Sequence, residues 1–148
     1  MRKYIRAWQK RSFEEKKLFL ESLFWLGYYR AAILLFSLKF LTRHLKHYPP
    51  NATIDQSPSM EKIHKAVTIG NMIALASRIT PWQSACLVQS LSAFRMLKKR
   101  QIPGKFSLGV LKSSTEMKAH AWTSCGECII TGESGHERFT VVSIFVWG

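Results

Sequence analysis

The sequence predicts an α+β fold, with helices in the first two-thirds of the chain and an antiparallel sheet in the last third. Before residue 100 the apolar residues recur with the 3.6-residue period of helices. From Phe106 onward they alternate with a period of two, which is typical of strands. Helices followed by antiparallel strands are the order of an α+β domain.

The composition predicts a folded domain with a strongly basic surface. Of the 148 residues, 47% are hydrophobic and 21% are charged, which is enough apolar material for a packed core. The 22 Lys and Arg residues outnumber the 9 Asp and Glu residues, and the excess lies in residues 1–100. Three cysteines are too few for a disulfide framework, so we expect free thiols and a cytoplasmic location.

Residues 1–56 are predicted to form an N-terminal helical region. Helical patterning runs from about Phe13 to about Lys46, with a break expected near Gly27. A linker that begins with two prolines, residues 49–58, should end it, because proline cannot continue a helix.

The stretch from Leu18 to Leu41 is the most apolar part of the chain. Glu21, Arg30 and Lys39 divide it into uncharged runs of eight residues, whereas a membrane span needs roughly 20 apolar residues. We therefore expect membrane association to be absent. Two interpretations stay open: a core helix or helix pair, or an apolar docking face for a partner or a membrane surface.

Two further helices are predicted in the middle of the chain. The first begins at Ser57 or Ser59 and runs to about Ser77. The second has a capping-box pattern at Thr80–Gln83, with Ser84 as an alternative cap. The expected strands and turns then follow: strands at 106–110, 118–124, 129–131 and 138–147, a hairpin turn at 125–128 and a loop at 132–136. Residues 135–140 could line a substrate site or form the turn into an ordinary core strand.

Cys86 and His120 are the residues whose chemistry stands out. A thiol near a helix N-terminus ionises more readily, because the helix dipole favours negative charge there. A histidine on a nearby strand can take the thiol proton and later return it to a leaving amine. Either residue alone is more often structural, but their order on a helix and then a strand indicates a nucleophile and its base.

Four motifs between Pro81 and Trp122 carry a family resemblance. They are Pro81-Trp82-x-x-x-Cys86-Leu87-x-Gln89-Ser90-Leu91, Leu97-Lys98-Lys99-Arg100-x-Ile102-Pro103, Leu108-Gly109-Val110 and Ala119-His120-Ala121-Trp122. In this order they resemble the transglutaminase-like leader peptidases of lasso-peptide biosynthesis. The stretch from Phe13 to His44 is also similar to the N-terminal helices of that family.

The resemblance implies a papain/transglutaminase-like core at residues 57–148, in which a catalytic helix packs on an antiparallel sheet. Cys86 would be the nucleophile and His120 the base in cleavage of a precursor peptide between its leader and its core. It also implies a separate PqqD-like leader-recognition protein, since the chain has no residues to spare for one. An ATP-dependent cyclase resembling asparagine synthetase would act next, and the peptidase itself would need no cofactor or metal.

The family resemblance further implies an aspartate after the returning hairpin strand, but this chain has no aspartate after Asp55. Glu133 is the nearest carboxylate and is the predicted third catalytic residue. A backbone carbonyl, the Thr131 hydroxyl or a water could orient the imidazole instead.

The remaining site residues are predicted from the chemistry of acyl transfer. The backbone N–H of Cys86 is the expected donor to the oxyanion, with the Gln83 side chain as a second donor. Trp82 and Trp122 flank the catalytic pair in the motifs and are the predicted substrate contacts.

Two other functions compete with that of a peptidase. The basic surface could belong to a non-catalytic scaffold that binds an acidic peptide, nucleic acid or a membrane surface, but no nucleic-acid-binding motif is present. The same Cys–His pair could transfer the acyl group to an amine instead of water. Cys125 and Cys128 lack the further ligands of a zinc site and are interpreted as residues that flank the hairpin turn.

Overall fold

The computed structural model describes residues 2–148, with side chains from residue 5 onward. Helices dominate the first two-thirds and an antiparallel five-stranded sheet the last third, which confirms the α+β prediction. The elements are α1 (Arg2–Gln9), α2 (Phe13–Leu35), α3 (Leu38–Leu41), β1 (Lys46–Tyr48), α4 (Met60–Ser77), α5 (Cys86–Lys99), β2 (Gly104–Lys112), β3 (Met117–Cys125), β4 (Cys128–Thr131), a 3-10 turn (His136–Arg138) and β5 (Thr140–Trp147).

The sheet has the strand order β1-β5-β2-β3-β4, and all neighbouring strands are antiparallel. Helix α5 packs on β2, β3 and β4, while α2 and α4 pack on α5 and on each other. Buried residues before and after position 56 belong to one hydrophobic core. The boundary between 56 and 57 stays a prediction. The largest fully buried side chains include Leu26, Ile69, Ile73, Leu91, Met96, Leu97 and Phe106.

The predicted helical stretch to about Lys46 was wrong in two respects: it breaks at Leu35 instead of near Gly27, and its helical part ends with α3 at Leu41. Helix α2 begins at Phe13, where Ser12 and Glu15 form a capping box, and it continues through Gly27 without a break. The absence of a side chain at Gly27 leaves room for the Trp82 ring, which lies 3.3 Å from where a Cβ would be. Residues 46–48 form β1 instead of helix, because they pair with β5.

Helix α2 is long and apolar enough to cross a membrane by length and composition alone, and it is the one such helix among residues 2–148. One third of its most apolar window is buried within the protein. Leu18, Phe19 and Leu26 point into the core, as expected for a core helix. Its opposite side leaves Leu20, Phe24 and other large apolar side chains exposed.

The residues between β1 and α4 form neither helix nor strand, which confirms the predicted linker. The amide of Gln56 ties this segment to the sheet by donating to the Trp147 carbonyl at 2.9 Å. Ser59, one of the two predicted caps, accepts a hydrogen bond from the backbone N–H of Lys62 and begins α4. Helix α4 then packs on β4, where the backbone of Gly70 contacts Ile130 closely.

Tyr29 makes the stability of this helical layer dependent on pH. Its side chain is only 6% exposed, and burial raises the pKa of its hydroxyl from 10.0 to about 12. Because the folded protein disfavours tyrosinate, stability present below pH 10 should be lost as the pH rises from 10.0 to about 12. We expect a loss of about 2–3 kcal/mol from this group. Chemical denaturation should show the loss in the wild-type protein, and Tyr29→Phe should remove that component.

Candidate functional site

Cys86 is the first residue of α5, one to two turns closer to the helix start than predicted. The expected capping box at Thr80–Gln83 was wrong, as was Ser84 as the cap, because α5 begins after Ala85. The Thr80 hydroxyl is engaged with Ser84 Oγ at 2.8 Å and with nearby carbonyls, which holds residues 80–85 in a non-helical loop. The half-buried thiol therefore lies in the first turn of α5, where backbone N–H groups have no helical partners.

Ser90, one helical turn after Cys86, fixes the start of α5 to the sheet. Its hydroxyl lies 3.0 Å from the Thr131 hydroxyl at the end of β4. The Thr123 hydroxyl on β3 donates to the Ser90 carbonyl at 3.0 Å. All three residues are buried, so these bonds have little competition from water and set the position of Cys86 relative to the sheet.

His120 is held by a main-chain oxygen. Its Nε2 lies 2.7 Å from the carbonyl oxygen of Gly132, just after β4. A carbonyl can only accept, so Nε2 carries the hydrogen and donates it. In the neutral ring Nδ1 is then the free, basic nitrogen, as a general base requires. This arrangement is one of the alternatives that the sequence left open for orienting the imidazole.

Aromatic side chains enclose the His120 ring. Trp122 stacks beside it with ring centroids 5.9 Å apart, and Phe139 lies 5.0 Å away on another side. Trp122 in turn contacts the ring of His136, whose Nδ1 donates to the Glu133 carbonyl. The predicted loop after β4 is therefore part of the site, and its contribution consists largely of main-chain carbonyls and rings.

His120 reaches the segment Thr131–Gly132 from β3, and Ser90, one helical turn after Cys86, reaches it from α5. Cys86 precedes Ser90 by about 6 Å along the helix axis. Side chains alternate between the two faces of a strand. Thr123 contacts α5 from one face of β3, so the His120 side chain leaves the strand on the opposite face. β4 pairs with β3 only from Thr123 onward, which leaves an open strand edge beside His120. Among the described residues no hydrogen bond joins the Cys86 sulfur to the imidazole.

Glu133, the predicted third catalytic residue, is not brought to His120. The Glu133 side chain is exposed. Among the described contacts, His120 Nε2 donates to the carbonyl oxygen of Gly132 and not to the Glu133 carboxylate. Gly132 has φ +79° and a hypothetical Cβ would collide with the Ala121 carbonyl, so no side chain fits this conformation. The chain therefore has glycine at position 132, and the main-chain carbonyl of this glycine orients His120. No side-chain acid is needed for this role.

Glu133→Gln should leave catalysis nearly unchanged, because the exposed carboxylate makes no bond to His120. We expect kcat/KM for any substrate of this site to remain within about threefold of wild type. Glu127→Gln, another exposed carboxylate near the hairpin, is the matched control. A selective loss of more than about tenfold in the Glu133 variant, measured under identical conditions, would restore Glu133 as the acid.

The other predicted site residues occupy different environments. Gln83 is exposed in the loop before α5, and among the described contacts its side chain does not cap the helix. Its role as an oxyanion donor stays a prediction. The backbone N–H of Cys86 belongs to the first turn of α5, where N–H groups lack helical partners. Trp82 is 36% exposed and lies against α2, whereas Trp122 is 6% exposed and stacks on His120.

Cys125 and Cys128 pair across the hairpin turn, as the sequence predicted. Both are free thiols, and burial raises the pKa of Cys125. Among residues 2–148 no group of three or more His, Cys, Asp or Glu side chains is arranged to hold a metal ion.

The site thus combines a half-buried cysteine at the start of α5 with a histidine on β3 of the sheet against which α5 packs. Residues 25–144 match the family described as transglutaminase-like superfamily. The chain belongs to that superfamily, which includes cysteine peptidases and acyltransferases. Neither the comparison with curated proteins nor that with solved structures found a match.

Proposed function

We propose that this protein is a cysteine peptidase that removes the leader from a ribosomally made lasso-peptide precursor in the cytoplasm. The observation that carries the peptidase proposal is the position of Cys86 as the first residue of α5, the helix whose Ser90 contacts Thr131, next to the Gly132 carbonyl that accepts from His120. The choice of precursor rests on the motif resemblance between Pro81 and Trp122. In that scheme a separate PqqD-like protein delivers the leader, and an ATP-dependent, asparagine-synthetase-like cyclase uses the released core.

The chemistry proceeds through a thioester. His120 Nδ1 takes the proton of the Cys86 thiol, and the sulfur attacks the carbonyl carbon of the scissile peptide bond. The backbone N–H of Cys86 donates to the resulting oxyanion. The C–N bond breaks as the imidazolium returns its proton to the leaving amine, and water then hydrolyses the thioester. This sequence requires sulfur and Nδ1 within hydrogen-bond distance, a contact that often tightens only when substrate is bound.

The test is incubation of the protein with a lasso-peptide precursor and its recognition protein, followed by mass spectrometry. We expect two fragments whose masses sum to that of the precursor plus one water. Omission of the recognition protein should slow the reaction. An intact precursor under all conditions, with the recognition protein shown to bind the leader, would contradict the proposal.

Acyl transfer is the second candidate, because the same thioester can react with an amine. Addition of a small primary amine to the same reaction separates the two. A product that carries the amine in place of water, formed in preference to the hydrolysed one, would identify an acyltransferase.

A further inference from the structure

The structure contains an aromatic and basic groove far from Cys86 along α5, which the proposed chemistry does not use. It lies between α2, α3 and the C-terminal half of α5 and encloses about 390 Å³. Phe24, Tyr28 and Phe40 line it and are 63%, 51% and 43% exposed. Large aromatic side chains in a concave surface are typical of a binding site and not of a solvated helix face.

The charged residues of the groove have one sign. Arg43, Arg95 and Lys98 line it together with the imidazole of His44, and no acidic residue does. Within the part of the chain that the structure describes, Arg43, Arg95 and Lys98 form no ion pair with a carboxylate. Arg43 Nε donates to His44 Nε2 at 3.1 Å, and its guanidinium lies 4.2 Å from the Phe40 ring centroid, while that of Arg95 lies 5.1 Å from the Trp25 ring centroid. These cations are available to an anionic ligand.

An apolar strip extends the groove along the end of α2. Leu34 and Leu35 are 70% and 75% exposed, and Phe36, 48% exposed, stacks on Phe40 at 4.9 Å. An occupant that covers this surface must therefore combine carboxylates with apolar side chains. We propose that the groove and this strip bind an acidic peptide segment of a partner protein that carries such apolar side chains.

Other polyanions fit these features less well. Nucleic acid would stack its bases on free aromatic faces, but here the rings of Phe24, Trp25, Tyr28 and Tyr29 pack against one another. It would also leave Leu34 and Leu35 uncovered. A lipid surface is flat and could not follow the concave groove. This inference is independent of the proposed peptidase activity, since it uses neither Cys86 nor His120.

The binding test uses a fluorescein-labelled synthetic peptide of Glu-Glu-Leu-Phe repeats and measures fluorescence anisotropy. We expect saturable binding to the full-length protein that weakens at least about tenfold between about 50 and 500 mM salt. A peptide with Lys in place of Glu should not bind. The double variant Arg43→Glu with Arg95→Glu should weaken binding at least about tenfold, and Phe24→Ser should weaken it at constant charge.

The double variant Lys112→Glu with Lys118→Glu is the matched control, because both lysines are exposed on β2 and β3 outside the groove and the net charge falls by the same amount as in the groove variant. The affinity of this control for the labelled peptide should remain within about twofold of wild type when both are measured at a salt concentration that screens the change in net charge. Equal loss in this control and in the Arg43–Arg95 variant would overturn the proposal. So would displacement of the bound peptide by phosphatidylglycerol vesicles or oligothymidylate at lower concentrations than by unlabelled peptide. Circular dichroism of each variant verifies that it is folded.

Discussion

Cys86→Ala is expected to lower the rate of precursor cleavage at least about 10³-fold while leaving the protein folded. Removal of the sulfur removes the thioester step entirely, and water alone is a poor substitute for an oriented thiolate. The thiol is half-buried at the first position of α5, so its loss removes little apolar contact. Mass spectrometry of the precursor reaction measures the rate, and thermal unfolding measures the fold.

Cys128→Ala is the matched control for the loss of a half-buried thiol. Cys128 is also free but lies at the hairpin turn, so its variant should cleave at close to the wild-type rate. His120→Ala should resemble Cys86→Ala in activity. Cleavage by the Cys86 variant at the wild-type rate would show that the thiol is not the nucleophile and would favour the non-catalytic scaffold.

Gly132→Ala is expected to have the largest effect on stability among the variants considered. At φ +79° a side chain is strained, and its Cβ would collide with the Ala121 carbonyl and approach Trp122 Cβ to 2.9 Å. We expect a loss of about 2–4 kcal/mol in the free energy of unfolding, measured by chemical denaturation. The same shift of backbone should displace the carbonyl that holds His120, and so lower kcat.

Two measurements separate the role of the Gly132 carbonyl from simple destabilisation. Gly135→Ala is the matched control, because it also has positive φ but a Cβ there meets only the movable end of Arg138. Its variant should lose less stability and keep the His120 tautomer. Nitrogen NMR of the imidazole should show the hydrogen on Nε2 in the wild-type protein and in this control. A hydrogen on Nδ1 in the wild type would contradict the assigned positioning role.

The regular part of the sheet was predictable because the alternation from Phe106 onward and the turn at Gly126 are local signals. The same holds for α4, whose Ser59 cap lies next to its helix. Helix α1 was missed because its residues are mostly polar, and it depends on a distant contact between Trp8 and Phe19 at 4.7 Å. Strand β1 was missed for a similar reason, since only its pairing with β5 makes it a strand.

The candidate site was predictable where it depends on side chains and obscure where it depends on the main chain. Cys86 and His120 follow from residue type and order. The Gly132 carbonyl has no signature in the sequence, because every residue has a main-chain carbonyl oxygen. Only the folded backbone determines which of these oxygens reaches His120. The start of α5 was displaced because Thr80 satisfies its hydroxyl locally with Ser84 and neighbouring carbonyls, which competes with capping.

The two outer strands of the sheet have a consequence for the behaviour of the protein at high concentration. β1 is only three residues long and carries Lys46, and β4 is four residues long, has an irregular register with β3 and packs against α4. Short, charged, irregular or covered edges offer little backbone to another chain. Strand-to-strand aggregation through β1 or β4 is thereby disfavoured, and the part of β3 before Thr123, which β4 does not pair, is the longer edge that a bound peptide could extend.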